Sequence, residues 1–495
     1  MPGHGRGDDE DIERRGVQPR ARQGPDGPTA SRGTVNSPAP GDATAGGSFY
    51  QAHKKVYPRE IGGRFQRLRT LAAWVLLGLY YVLPWVPWDD RQAVLFDLPA
   101  RKFYVFGLVF WPQDFFYLTW LLIILGLSLF FFTALAGRLW CGYACPQTVW
   151  TEVFLWIERK FEGDRNRRMK LDRGPWNGEK ILRKCGKHLA WIVLALWTGF
   201  TFVAFFTPVQ ELAGKIVSLS TGPWETFWVL FYAFATWGNA GFMREQVCTY
   251  MCPYARFQSA MFDRDTLIIA YDGSRGEPRG ARARSADYKS KGLGDCIDCK
   301  ACVHVCPTGI DIREGLQYEC IACAACIDAC DGIMDKMGYP RGLVRYSSQK
   351  VMEGTEARVL RPRMFVYGAL LGALIVAFGV SLSLRTPVGL DVMRDRNALY
   401  RALPDGSVEN VYMLRILNKD TAAHRYVLSA SGLPGIEIES DAQEHEVGPG
   451  EVYSLAARVR APADVARGSH EIRIDVRAVD AAELTVGREA RFLGP

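Results

Sequence analysis

Five apolar stretches, a doubled cysteine run and a C-terminal region of short alternating segments predict a multi-domain membrane protein. Its parts are a five-helix transmembrane bundle, an inserted cytoplasmic domain of the bacterial two-cluster ferredoxin type, and a C-terminal all-β immunoglobulin-like sandwich. A mean hydropathy of −0.05 over 495 residues suits a soluble chain. The average conceals apolar residues gathered in runs of about 20, the length that crosses a bilayer as a helix.

Residues 1–48 are rich in Gly, Pro, Arg, Asp and Ser with few aliphatic residues, so they are expected to form a disordered tail. No apolar stretch occurs before Leu68 and no small-residue cleavage site follows that span, so the first span is expected to stay as an anchor rather than leave as a signal peptide. Residues 49–255 read as a four-span membrane domain, with spans near 68–88, 115–136, 188–208 and 224–243. Residues 256–363 read as the ferredoxin segment, 364–384 as a fifth span without charge, and 385–495 as the sandwich. Orientation follows from Lys and Arg in short loops, which stay on the cytoplasmic side. Residues 137–187 carry twelve, 89–114 carry three and 209–223 carry one. The amino terminus and the ferredoxin segment are therefore expected in the cytoplasm, and the sandwich in the periplasm. The net charge of +7 belongs to the tail and the inside loops, so no nucleic-acid partner is expected.

The cysteine run is Cys296-x2-Cys299-x2-Cys302-x3-Cys306-Pro307, repeated as Cys320-x2-Cys323-x2-Cys326-x3-Cys330. In two-cluster ferredoxins three thiolates of one run and the last thiolate of the other hold each 4Fe-4S cube. One cluster would take Cys296, Cys299, Cys302 and Cys330, and the other Cys320, Cys323, Cys326 and Cys306. Pro307 is expected to turn the chain away after Cys306, whereas Asp331 stands where the second run would often carry proline. Zinc sites pair four ligands differently, and disulfides belong to oxidising compartments, so both fit poorly. Such a chain moves single electrons.

A second signal is the repeat Cys141-Gly142-Tyr143-Ala144-Cys145-Pro146 and Cys248-Thr249-Tyr250-Met251-Cys252-Pro253, each after an apolar span. If each helix continues, cysteines at i and i+4 share a face, and two such helices would present Cys141, Cys145, Cys248 and Cys252 together. Four soft thiolates, with Met251 as a further soft donor, suit cuprous copper. Cys185 has no partner and reads as an ordinary thiol.

The sandwich is expected from alternating runs such as Val408–Leu417, Arg425–Leu428, Gly435–Glu439, Glu451–Val459 and His470–Val476, separated by turns at Pro404-Asp405-Gly406 and Gly448-Pro449-Gly450. It has no cysteine, and His424, His445 and His470 read as solvated strand residues rather than metal ligands. With no GxGxxG before a βαβ pattern, no flavin or nicotinamide site is expected, so the electron donor would be another, cytoplasmic protein.

These residues resemble the cytochrome c oxidase accessory proteins of the CcoG, FixG and RdxA type. The resemblance runs through residues 106–114, 140–148 and 248–252, through 306–313 with Gln317 and Cys320, and through the sandwich. It implies a bacterial inner-membrane protein that assists assembly of a cbb3-type oxidase, with partners among the oxidase assembly and copper-delivery proteins. The associated activity would be that of a cupric reductase, forming Cu(I) from Cu(II). Two rivals are a quinone-linked electron carrier, with His188 or Trp191 at the quinone, and a non-redox assembly scaffold.

Overall fold

Among the described residues, four helices are long and apolar enough to cross a membrane: Arg64–Trp85, Pro112–Ala136, Gly178–Val203 and Pro362–Ser383. The computed structural model describes residues 55–495 apart from 90, 359, 396, 397, 421 and 482. The expected tail at 1–48 lies outside them.

The fourth expected span, 224–243, differs from a plain helix. Pro223–Thr236 is α-helical, and the chain then widens to π geometry over Trp237–Met243. A widened turn misaligns carbonyls that need donors from elsewhere. Gln147 Nε2 donates to the Asn239 and Arg244 carbonyls at 2.9 and 3.1 Å, and Arg244 Nε donates to the Gly241 carbonyl at 2.8 Å. A Cβ at Gly241 would lie 3.2 Å from the Trp191 ring, so glycine is what lets this turn seat on the neighbouring helix.

The third span starts at Gly178, ten residues before the expected boundary at 188. Asn177 caps it by accepting from the Lys180 N–H at 2.8 Å. An apolar window misses this amphipathic first stretch, whose cations meet carboxylates of the helix Pro146–Glu162. Glu158 and Glu162, both essentially unexposed, face Arg168 (2.9 Å), Arg244 (3.0 Å) and Lys187 (2.8 Å). The basic stretch read as a loop over 137–187 is thus largely helical, with Leu139–Tyr143, Pro146–Glu162 and Arg165–Arg173 preceding the third span.

Between the first two spans lies a three-stranded antiparallel sheet, Val94–Asp97, Lys102–Val105 and Leu108–Phe110, which alternation alone does not reveal. Asp114, buried at its edge, accepts from Arg385 at 2.6 Å and Lys419 at 3.0 Å. It fastens the sandwich to the span ends.

The sandwich packs a five-stranded antiparallel sheet on a four-stranded one. The first contains Val388–Arg394, Ser407–Asn418 and Val452–Pro462, the second His424–Ser431, Ser469–Ala478 and Thr485–Leu493. Tyr412 faces Ala457 and Leu414 faces Leu455 across the central pair. The inward residues Tyr412, Leu414, Ile416, Tyr426, Ile474 and Phe492 form one core. The strands Val388–Arg394 and Thr485–Leu493 escape a reading by alternation, because mixed polar residues blur their period.

Two of the three histidines correct the expectation of solvated residues. His445 is 2% exposed and meets Ser440 Oγ at 3.0 Å. His424 is 9% exposed and clasped by Asp480 (2.9 Å) and Asp420 (3.1 Å). Burial lowers its pKa, but the two carboxylates outweigh burial and the net shift is upward.

Leu414, fully buried, lies where truncation leaves a cavity, and Leu414→Ala is expected to destabilise the sandwich by about 2–5 kcal/mol in a denaturant titration. The imidazolium of His424 contributes stability that is complete below its ordinary value of about 6.5 and is lost as pH rises through its raised folded value. Hydrogen exchange of the strand His424–Ser431 should therefore speed up, beyond the intrinsic pH effect, as pH rises above about 6.5 in the native protein and not in His424→Gln.

Candidate electron-transfer site

Both cysteine runs wind through the same backbone shape. The residues flanking the second cysteine of each run are left-handed: Asp298 (φ 52°) and Lys300 (φ 55°), then Ala322 (φ 54°) and Ala324 (φ 60°). Four non-glycine residues in this region cost roughly 1–2 kcal/mol each. Alternating left- and right-handed residues form nests whose N–H groups converge on an anionic centre such as an iron-sulfur cluster. Cys302 rides on the short helix Ala301–His304. Cys326 and Cys330 share a face of Ala325–Met337. The chain does not turn after Cys330: Asp331 continues the helix and accepts from the Gly342 N–H at 2.9 Å, because no proline interrupts it there.

Two separate cavities result. One is bordered by Cys296, Cys299, Cys302 and Cys330, with Tyr271 and Leu343. The other is bordered by Cys306, Cys320, Cys323 and Cys326, with Cys302 between the two. Burial pushes the Cys302, Cys320 and Cys330 thiols up to about 12 and also raises Cys323 and Cys326. A dry thiol pocket of this kind ionises only against strong positive charge, which iron supplies. Paired left-handed turns and two apolar cavities, each bordered by at least four cysteines, fit 4Fe-4S clusters.

The CxxxCP segments are not continuous helices. The helix Leu139–Tyr143 stops before Cys145, which is extended (ψ 128°), and Pro146 opens the next helix. Val247–Met251 is a π turn, Cys252 is extended (ψ 108°), and Pro253 opens the helix after it. Proline disfavours the α conformation in the preceding residue and clashes with the carbonyl four residues back, so the expected i,i+4 face is broken in both copies. The copies nevertheless match. The Cys145 N–H donates to the Trp140 carbonyl at 2.9 Å and the Cys252 N–H to the Val247 carbonyl at 2.8 Å, each five residues back.

The four thiols are close enough to affect one another. Burial pushes Cys248 up to about 12, with Cys145 and Cys141 adding to it. Burial likewise raises Cys141, opposed by Arg138 and aided by Cys145 and Cys252. The Cys141 thiol donates to Gln258 Oε1 at 3.3 Å, and the same oxygen accepts from Arg138 Nε at 3.0 Å. Among the described residues, no three His, Cys, Asp or Glu side chains close on a single ion, so the four thiols stand as a loose group.

What the motif itself does not reveal is its seat. Cys141 packs in one apolar cluster with Val305, Ile321 and Cys323 of the ferredoxin loops. Arg138 also donates to the Tyr318 carbonyl. Tyr143 meets Tyr346, whose hydroxyl donates to the Ala322 carbonyl at 2.7 Å. At the first span, Asp328 accepts from the Phe65 and Gln66 N–H groups at 3.3 and 2.8 Å, capping that helix from the ferredoxin side. The only advance hint is Gly142 inside the motif.

Other candidates stand apart. Cys185 is exposed. Trp191, 1% exposed, donates its indole N–H to the Phe154 carbonyl at 3.0 Å, and His188 stacks on Phe242. Trp191 is thereby occupied as a packing residue.

A family model described as a 4Fe-4S dicluster domain matches residues 243–349, one described as a 4Fe-4S binding domain matches 117–163, and one described as the IG-like fold at the C-terminal of FixG matches 378–495. The nitrogen fixation protein FixG of Rhizobium meliloti is 40% identical over 82% of this chain and 84% of its own. Protein RdxA of Cereibacter sphaeroides is 41% identical over 86% of this chain and 94% of its own, and protein RdxB of that organism is 42% identical over 78% and 83%. With two cysteine loops built for iron-sulfur clusters, apolar helices of membrane length, an immunoglobulin-like C-terminal domain and relatives of this identity along most of its length, the chain belongs to the FixG/RdxA family.

Proposed function

We propose that this protein is an inner-membrane electron-transfer protein that reduces Cu(II) to Cu(I) for assembly of a cbb3-type oxidase. The observation that carries the reading is that Cys141 and Cys323 share one apolar cluster, with the Gly142 backbone close against Cys323, which brings the CxxxCP thiols to a cluster loop. Cys296, Cys299, Cys302 and Cys330 would hold one cluster, and Cys320, Cys323, Cys326 and Cys306 the other. Bound there, the clusters supply one-electron transfer. Copper is the substrate. Cys141, Cys145, Cys248 and Cys252 offer it soft donors, which favour the cuprous product over the cupric ion. Gln258 and Arg138 hold the Cys141 thiol in place.

Loop charge supports an amino terminus and ferredoxin segment in the cytoplasm, where a protein donor would supply electrons. The segment 224–243, helical throughout though partly π, serves as the fourth of five spans, and the fifth carries the chain to a periplasmic sandwich that would meet oxidase-assembly or copper-delivery proteins. A second reading of the four thiols is favoured by one observation. The model described as a 4Fe-4S binding domain covers 117–163, where the cysteines are Cys141 and Cys145, so these thiols would share in iron-sulfur binding instead of copper.

Purified anaerobically, the protein should hold about eight iron and eight labile sulfide per chain, and Cys323→Ser should lose about half. Cys141→Ser with Cys248→Ser should keep the iron while abolishing copper binding and Cu(II)-driven reoxidation of dithionite-reduced protein. A fall in iron in that double variant selects the second reading, and wild-type copper reduction with full iron removes the thiols from the reaction. For topology, a reporter active only in the periplasm should work when fused after Leu384 and fail after Asp331. The reverse pattern overturns the orientation.

A further inference from the structure

A cavity of about 480 Å³ opens between the first span, the helix Pro146–Glu162 and the third span, and no cysteine lines it. Its size is that of a small-molecule site. One end is polar: Gln66, Arg69, Glu152 and Arg159. Arg69, 7% exposed, donates to Gln66 Oε1 and Glu152 Oε2, both at 3.0 Å, and Gln66 Nε2 donates to Glu152 Oε1 at 3.1 Å. The Nε of Arg69 and the Nε of Arg159 are buried without a hydrogen-bond partner. Two unused donors therefore remain on guanidiniums already paired with Glu152 and Glu60, while a third, Arg59, lines the cavity from its exposed rim.

The other end is apolar and aromatic. Trp74, Leu77, Gly78 and Tyr81 line it from the first span and Trp156 from the facing helix. Trp74 is 75% exposed, so this end opens sideways to where acyl chains would lie. Val305, Pro307 and Ala325 also line the cavity, and each adjoins a cysteine that borders the second cluster cavity, Cys306 or Cys326.

We propose that this cavity binds an isoprenoid quinone, its ring between the aromatic walls, a carbonyl oxygen accepting from Arg69 or Arg159, and its tail leaving past Trp74. A phosphate headgroup fits less well, because it would set an anion beside Glu152 and its paired Arg69 and Arg159, where the one further cation, Arg59, is exposed to solvent. A neutral ring with acceptor oxygens uses the free N–H groups without disturbing the ion pairs. The site is independent of what the four CxxxCP thiols take.

The test is equilibrium binding of decylubiquinone to the full-length protein in phosphatidylglycerol-free nanodiscs, read by tryptophan quenching and by organic extraction of retained ligand. Gly78 lines the cavity and a Cβ there meets no atom within 4 Å, so Gly78→Trp should set an indole into the cavity. It should weaken binding by at least about tenfold with iron content unchanged. Trp74→Ala, an exposed change that spares the fold, should also weaken it. Saturable binding lost in both variants supports the site. Absent saturation, equal binding in the wild type and a folded variant, or full displacement of the quinone by phosphatidylglycerol overturns it.

Discussion

A Cβ on Gly142 would sit 2.8 Å from the Ile321 carbonyl oxygen and 2.9 Å from the Cys323 Cα, closer than real side chains come. The absence of that one carbon lets the backbone after the second span lie directly on the backbone of a cluster loop. Backbone cannot yield as a flexible side chain does, so any larger residue must push the two layers apart. The relation of the CxxxCP thiols to the cysteine runs follows from this approach. Gly63 repeats the device at the first span, where a Cβ would meet the Asp328 carboxylate that caps the helix. Ferredoxin loops and membrane-length helices thus meet closely at two places, main chain on main chain at Gly142 and main chain on a carboxylate at Gly63.

Around that joint the chain buries charge. Glu158 lies among Arg168, Arg244 and Lys187, and Glu162 binds Lys184 and Lys187. Each pair loses hydration, and burial of this kind contributes little net stability. Removing any one member would leave the others uncompensated, so the network ties the helix that follows Cys145 to Arg165–Arg173 and to the third span. The Arg168 guanidinium also donates to the Pro58 carbonyl at 2.5 Å, drawing the segment before the first span into the same cluster.

The sequence was informative where chemistry is local. Ligand spacing within 296–330 announced two clusters because the residues that converge are a few positions apart. Apolar length announced four helices of membrane length out of the five spans expected, and two-residue alternation the middle strands of the sandwich. It was silent where one residue answers a distant one. The π turn at Trp237–Met243 depends on Gln147, and the early start of the third span depends on carboxylates of another helix. The helix expected through each CxxxCP segment failed for a local reason already present, the proline after the second cysteine. His424 looked like a solvated strand residue because nothing near it in sequence marks Asp480 as its partner.

Asp114 has a consequence for biosynthesis. Its carboxylate is buried early in the chain, yet its cations stand 271 and 305 residues further on, at the end of the last span and inside the sandwich. Domains emerge from synthesis in order, amino-terminal parts first. For most of that time Asp114 has neither Arg385 nor Lys419, and the sheet it edges cannot close around a bare charge at no cost. The region before the second span is therefore completed last, when the final domain arrives to neutralise it. A chain interrupted anywhere before Arg385 keeps a recognisable defect near its beginning.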